Sequence, residues 1–206
     1  MNKLELKELL LQKVDEQLRN ESFRLNKRLS EFTRRTKEGW HKFQLIFLDF
    51  EDYWEIKIGL LIRKNVIENI FHKGSYFAPE YHKSTATIGI DLENLMNDEY
   101  YRFLLKSESD LDFVVKAVNK AFYDIALKFF EEYDSIEAID RALNMDVGQS
   151  IFSGYKYGGN TGIIAAKLVG NPSYNSLVEK YRVFYTDNFD GFYLEEFNNI
   201  VNSLVK

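Results

Sequence analysis

Apolar residues fall at two spacings along the chain, a two-residue period concentrated between about residues 23 and 105 and a helical period before and after it. The stretch from Phe43 to Arg63 is the most apolar. Within Tyr53–Ile62, Trp54, Ile56, Ile58, Leu60 and Ile62 form one face and Tyr53, Glu55 and Lys57 the other, as in a half-buried antiparallel strand. In Phe43–Phe50 both parities are apolar, Phe43, Leu45 and Phe47 against Ile46, Leu48 and Phe50. That pattern predicts a central strand covered on both faces. Between Phe23 and Thr36 the parity switches at Phe32, so the segment reads as a bulged strand or two short ones. Lys37-Glu38-Gly39 supplies the turn into Trp40. Thr85–Leu92, with β-branched Thr85, Thr87 and Ile88, is a fourth strand candidate, and Tyr100–Leu105 is assigned to strand over helix.

Helical spacing appears first at Leu4, Leu10, Leu11, Val14 and Leu18, predicting an amphipathic helix over about 3–19. Val66–Phe71 reads as a short helical turn and 72–83 as an irregular loop containing Pro79. Leu111, Val115, Val118, Phe122, Ile125 and Phe129 predict a long helix over about 110–132, capped by Ser107 or Ser109. Ile136, Ile139 and Leu143 predict another. Residues 144–160 read as loop, and 161–169, 173–185 and 193–205 as short helices, with Gly170-Asn171-Pro172 as a stop and restart. Strands precede helices without βαβ alternation. The expected class is α+β: an antiparallel sheet of about four strands packed by the N-terminal helix and the long helix, with a C-terminal helical part. The expected division is 1–145 for the sheet domain and 146–206 for the helical part, or one single domain.

Composition narrows the function classes. Hydrophobic residues at 45% and charged residues at 29% of 206 are ordinary for a soluble globular chain. The absence of cysteine excludes disulfides, thiolate metal sites and Cys nucleophiles. Glu5 and Glu8 interrupt the apolar core a signal peptide needs, and no run reaches 18 apolar residues, so a cytoplasmic location without a membrane span is expected. Two prolines amid many Lys, Asn and Ile suit a bacterium with an AT-rich genome. The net charge of −5 argues against general nucleic-acid binding. It is uneven, however: residues 1–42 carry 11 Lys and Arg against 7 Asp and Glu, and the remainder is acidic.

Candidate chemistry is sparse. His72 and His82 flank a loop with Tyr76, Glu80 and Tyr81, where an acid–base or metal role is conceivable, but no ligand spacing appears. Gly154 to Gly162 precedes a helix as a phosphate cradle would, yet lacks the order of either glycine-rich phosphate motif. It reads instead as a flexible connection allowing close helix approach. Thr186–Phe197 has a calcium-loop outline but puts Thr186 and Phe197 where carboxylates are required. Glu131/Glu132 and Glu195/Glu196 lie on predicted helices, where exposure is the default. No catalytic, cofactor-binding or metal-ligating residue is nominated, and no cofactor is expected. The remaining candidate is a contact surface of Arg24, Lys27, Arg28, Arg34, Arg35 and Trp40, the competing reading being a charged edge strand guarded against pairing.

The order of segments resembles a known family. An N-terminal helix leads into Ser22-Phe23-Arg24 and Phe32-Thr33-Arg34-Arg35. The core hairpin is followed by Ile62-Arg63 and Val66–Phe71. Later come Ser107–Leu111, Ala126–Phe130, Ile136–Leu143 and Ile164–Asn171. Together these resemble an uncharacterised bacterial family defined as a domain of unknown function, some of whose relatives resemble immunity proteins encoded beside secreted toxins. The resemblance implies an α+β sheet domain with a helical C-terminal part, and it carries no catalytic residues. The leading expectation is a non-enzymatic cytoplasmic protein-binding module, in one form a toxin-immunity protein. The alternative is an enzyme or small-ligand-binding protein with a site between the sheet and the C-terminal helices. A third reading, nucleic-acid binding through residues 24–42, would require affinity that falls steeply with salt.

Overall fold

The computed structural model describes residues 1–152 and 154–205. It is α+β, with strands β1 (Arg24–Asn26), β2 (Glu31–Arg35), β3 (Gly39–Asp49), β4 (Trp54–Lys64), β5 (Ile88–Asp91) and β6 (Phe103–Leu105). The helices are α1 (Lys3–Leu18), α2 (Asn65–Phe71), α3 (Leu92–Met96), α4 (Glu108–Ala121), α5 (Leu127–Glu132), α6 (Ile136–Asn144), α7 (Tyr155–Val169), α8 (Tyr174–Asn188) and α9 (Gly191–Ser203). The strands follow the order β1-β2-β3-β4-β5, with β6 antiparallel to the start of β4 through Trp54 opposite Leu105. Six strands stand among the described residues where about four were expected, because the 23–36 segment supplies two and β6 is short.

By proximity the chain forms two compact units, Met1–Leu61 with Ile90–Glu131, and Ile62–Gly89 with Glu132–Lys206. The expected cut at 145/146 follows chain order. These units follow proximity, and the chain passes between them inside β4, inside β5 and at the end of α5.

In the first unit one face of the sheet is buried. Trp54, Ile56, Ile58 and Leu60 are all buried there, as their alternation requires. The Trp54 indole donates to the Lys3 carbonyl of α1 at 3.0 Å, and Phe43 meets Phe122 edge-on at 5.2 Å, so α1 and the end of α4 cover the same face. Phe122 begins a π-helical turn over Phe122–Ala126 that joins α4 to α5 and brings its ring against Phe23 as well. The opposite face of β3 departs from expectation: Gln44, Ile46 and Leu48 are only half-buried. There the polar side of β4 is laced by ion pairs, Lys57 to Asp91 and Glu93, and Arg102 to Glu93 and Glu55. Two-sided apolarity in β3 therefore overstated its cover. Leu4 also leaves its predicted stripe. It is 64% exposed, and Leu6 takes its place beside Leu10, Leu11, Val14 and Leu18.

In the second unit, the loop expected over 144–160 ends at Gly154, residue 153 lying outside the described residues. The glycine run is the first half of α7, not a connection. A Cβ on Gly159 would lie 2.7 Å from Tyr181 and 2.8 Å from Tyr185, and one on Gly162 would lie 2.6 Å from the Asn144 side chain. Glycine here lets α6 and α8 close onto α7. The Tyr181 hydroxyl donates to the Leu143 carbonyl and the Tyr185 hydroxyl to the Lys156 carbonyl, both at 2.8 Å, so neither buried phenol is orphaned. Gly170 ends α7 with φ +69°.

Candidate functional site: an aromatic cleft above a buried polar cluster

The second unit buries an ionisable cluster at the start of α2. Glu68 is in the first turn of that helix, and its carboxylate accepts from the hydroxyls of Thr85 and Thr87. Neither threonine is in β5, which starts at Ile88. The strand predicted over Thr85–Leu92 is thus shorter, Ile88–Asp91, although the Thr87 amide still donates to the Ile62 carbonyl of β4 at 2.8 Å. Thr85 Oγ1 also contacts Arg63 Nη1 at 2.9 Å and His72 Nε2 at 2.8 Å. With its single proton on Glu68, that oxygen can only accept from these two. His72 is therefore protonated on Nε2, and its Nδ1 accepts from the Ser75 hydroxyl at 2.9 Å. Its ring stacks on His82 at 3.9 Å, and His82 Nε2 donates to the Phe77 carbonyl at 2.7 Å.

This arrangement fixes charge states. Burial, with the neighbouring His82 and Arg63, lowers the His72 pKa to about 4, so the imidazole is neutral. Burial raises the Glu68 pKa, opposed by the threonine hydroxyls and Arg63. Both nitrogens of His72 are occupied, and no group of three or more metal-binding side chains occurs among the described residues. The sequence-predicted histidines are thus brought together, but as internal struts of the loop.

That loop forms one wall of a cleft of about 510 Å³. Tyr76, Phe77, Tyr81 and Thr85 line it from the loop side, and Tyr157 of α7 with Phe192 and Glu196 of α9 from the other. Gly74 sets the approach: a Cβ there would meet the backbone nitrogen of Ile200 at 2.8 Å, so the loop runs directly against α9. Two residues later the Tyr76 amide donates to Glu196 Oε1 at 2.8 Å, and the Tyr76 ring packs on Phe192 at 4.8 Å. Asn160 Nδ2 donates to Glu196 Oε2 at 3.3 Å, while its own Oδ1 has no hydrogen-bond partner. Glu196 is 1% exposed and burial raises its pKa, with the Tyr76 and Asn160 bonds acting against the rise. No cation pairs with Glu196 among the described residues. In contrast Tyr76, Tyr81 and Phe192 are 46%, 57% and 48% exposed.

The default exposure assigned to Glu195 and Glu196 therefore holds for the first and fails for the second. Phe192, Glu196 and Ile200 recur every four residues, so Glu196 interrupts an apolar stripe, and that was the available signal. Phe77, Tyr157 and Phe192 had no signal of their own, because lone aromatics in helices and loops read as core.

The basic candidates occupy the first unit, where the sheet divides them between its two faces and a turn. Pairing sets Arg24 opposite Thr33, Arg34 opposite His41 and Arg35 opposite Trp40. Alternation then puts Arg24, Arg35 and Trp40 on one face and Arg34 on the other. Arg34 contacts His41 Nδ1 at 3.0 Å and lies over the Phe23 ring. Lys27 and Arg28 are exposed in the β1–β2 turn. Lys42 covers Trp40 and pairs with Glu31 at 2.8 Å.

Comparison with protein-family models, curated proteins and solved structures returns no match.

Proposed function

We propose that the chain is a non-enzymatic binding module that engages a protein partner through the aromatic cleft of its second unit. The observation that carries this reading is the contrast between exposed rings and engaged polar groups. Tyr76, Tyr81 and Phe192 stand open around a cleft, whereas His72, Glu68 and Thr85 beside it are spent on one another. Exposed aromatics in a recess are the anchors and pockets that dominate protein interfaces. His72, the imidazole beside the cleft, lacks a spare nitrogen for general-base work. Toxin immunity, by occlusion of a toxin's active site in a bacterial cytoplasm, is the specific form that the acidic balance and the family resemblance favour.

A second reading, small-ligand binding, is favoured by the cleft's volume, which lies within the range typical of ligand pockets. The test is affinity capture from source cells with the wild-type chain and with a Tyr81→Ala/Phe192→Ala variant. A discrete protein retained by the first and lost by the second supports the partner reading. A partner held equally by both, or none with either, contradicts it.

A further inference from the structure

We propose that the cleft receives the side-chain ammonium of a lysine from the partner, with Glu196 as its counter-ion. This rests on the reading of the cleft as a partner-binding surface. Glu196 lines the cleft yet is buried, and two neutral donors, the Tyr76 amide and Asn160 Nδ2, are its hydrogen-bond partners. A desolvated carboxylate without a cation is costly by itself, and a cationic group entering the cleft relieves that cost. The walls suit the remainder of a lysine. Tyr76, Tyr81 and Phe192 offer ring faces and edges along which a four-methylene stem can lie, and aromatic faces attract an ammonium directly.

The pattern of donors favours lysine over arginine. Each Glu196 oxygen already accepts one bond, one from the loop and one from α7. A guanidinium pairs best with both oxygens side by side, whereas an ammonium is a point charge that needs one free lone pair. The chain's net charge of −5 complements a basic partner.

The test uses the full chain, titrated with Nα-acetyl-lysine N-methylamide, its uncharged norleucine counterpart and the arginine counterpart. The Tyr76 amide, which donates to Glu196, is followed by two-dimensional NMR. The lysine compound is expected to saturate the Tyr76 shift at about tenfold lower concentration than the norleucine compound, with arginine between them. The preference should vanish in Glu196→Gln, and Tyr81→Ala should weaken both compounds. Equal binding of lysine and norleucine compounds to the wild type overturns the counter-ion assignment whether or not the Gln variant folds. Partner capture that survives Glu196→Gln but not Tyr81→Ala/Phe192→Ala also overturns it, and leaves the aromatic cleft standing as the binding surface.

Discussion

Thr85 shows how a single side chain closes a cluster. Its hydroxyl joins Glu68, His72 and Arg63 while its residue lines the cleft wall, so the interior of the loop and its outer surface share one residue. The charge states follow and are testable through pH. The His72 pKa lies near 4 in the folded chain against 6.5 ordinarily. Between those values the unfolded chain binds the extra proton, so the His72 contribution is complete above about 6.5 and is lost as pH falls toward 4. Glu68 acts with the opposite sign: its raised pKa gives stability present below the ordinary carboxylate value and lost as pH rises through the folded value. Arg63 and His82, the other charged or titratable groups facing His72, each disfavour its protonation. Urea unfolding at pH 7, 6 and 5 should therefore show His72→Gln losing less stability on acidification than the wild type. Parallel curves would contradict the assignment. The sequence sets Glu68 and His72 four residues apart across the predicted helical turn, a spacing that lets them meet, but nothing in it points to Thr85, which joins them because a loop of irregular backbone turns back on α2.

At the scale of elements, periodicity identified what faces a core, and the glycine run foretold close helix approach but not that it lies inside a helix. The Trp54–Ile62 alternation became a buried face residue by residue, and Ser107 caps α4 as expected, its amide donating to Asp110 at 2.7 Å. The glycine run misled because glycine lowers helix propensity, whereas at Gly159 and Gly162 the missing Cβ is what lets Tyr181, Tyr185 and Asn144 approach. Two neighbouring substitutions separate these effects. At Gly158 a Cβ would find its nearest neighbour 4.0 Å away, so Gly158→Ala should be neutral or gain up to about 1 kcal/mol of stability. Gly159→Ala should cost about 1–3 kcal/mol as overpacking against the tyrosines outweighs propensity. Denaturant titration of the two variants checks the ranking, and a stabilised Gly159→Ala would contradict the packing account.

For the whole molecule, the division of labour is between a first unit built on an aromatic core and a second that presents the cleft. In the first unit Arg34 is engaged by His41 and Phe23 and Lys42 by Glu31 and Trp40, while Arg24, Lys27, Arg28 and Arg35 are exposed around the short strand at the end of the sheet path. Charge alone pointed to this half because basic runs are visible in sequence. A cleft assembled from residues 76–85, 157 and 192–196 is not, since its parts are far apart in the chain and each looks ordinary alone. The two surfaces can be told apart in source cells with a photocrosslinking phenylalanine derivative, p-benzoylphenylalanine, at position 81 in one protein and at position 24 in another. The cleft account predicts a discrete, light-dependent adduct from position 81 and none from position 24. An adduct from position 24 alone, or none from position 81, would contradict it.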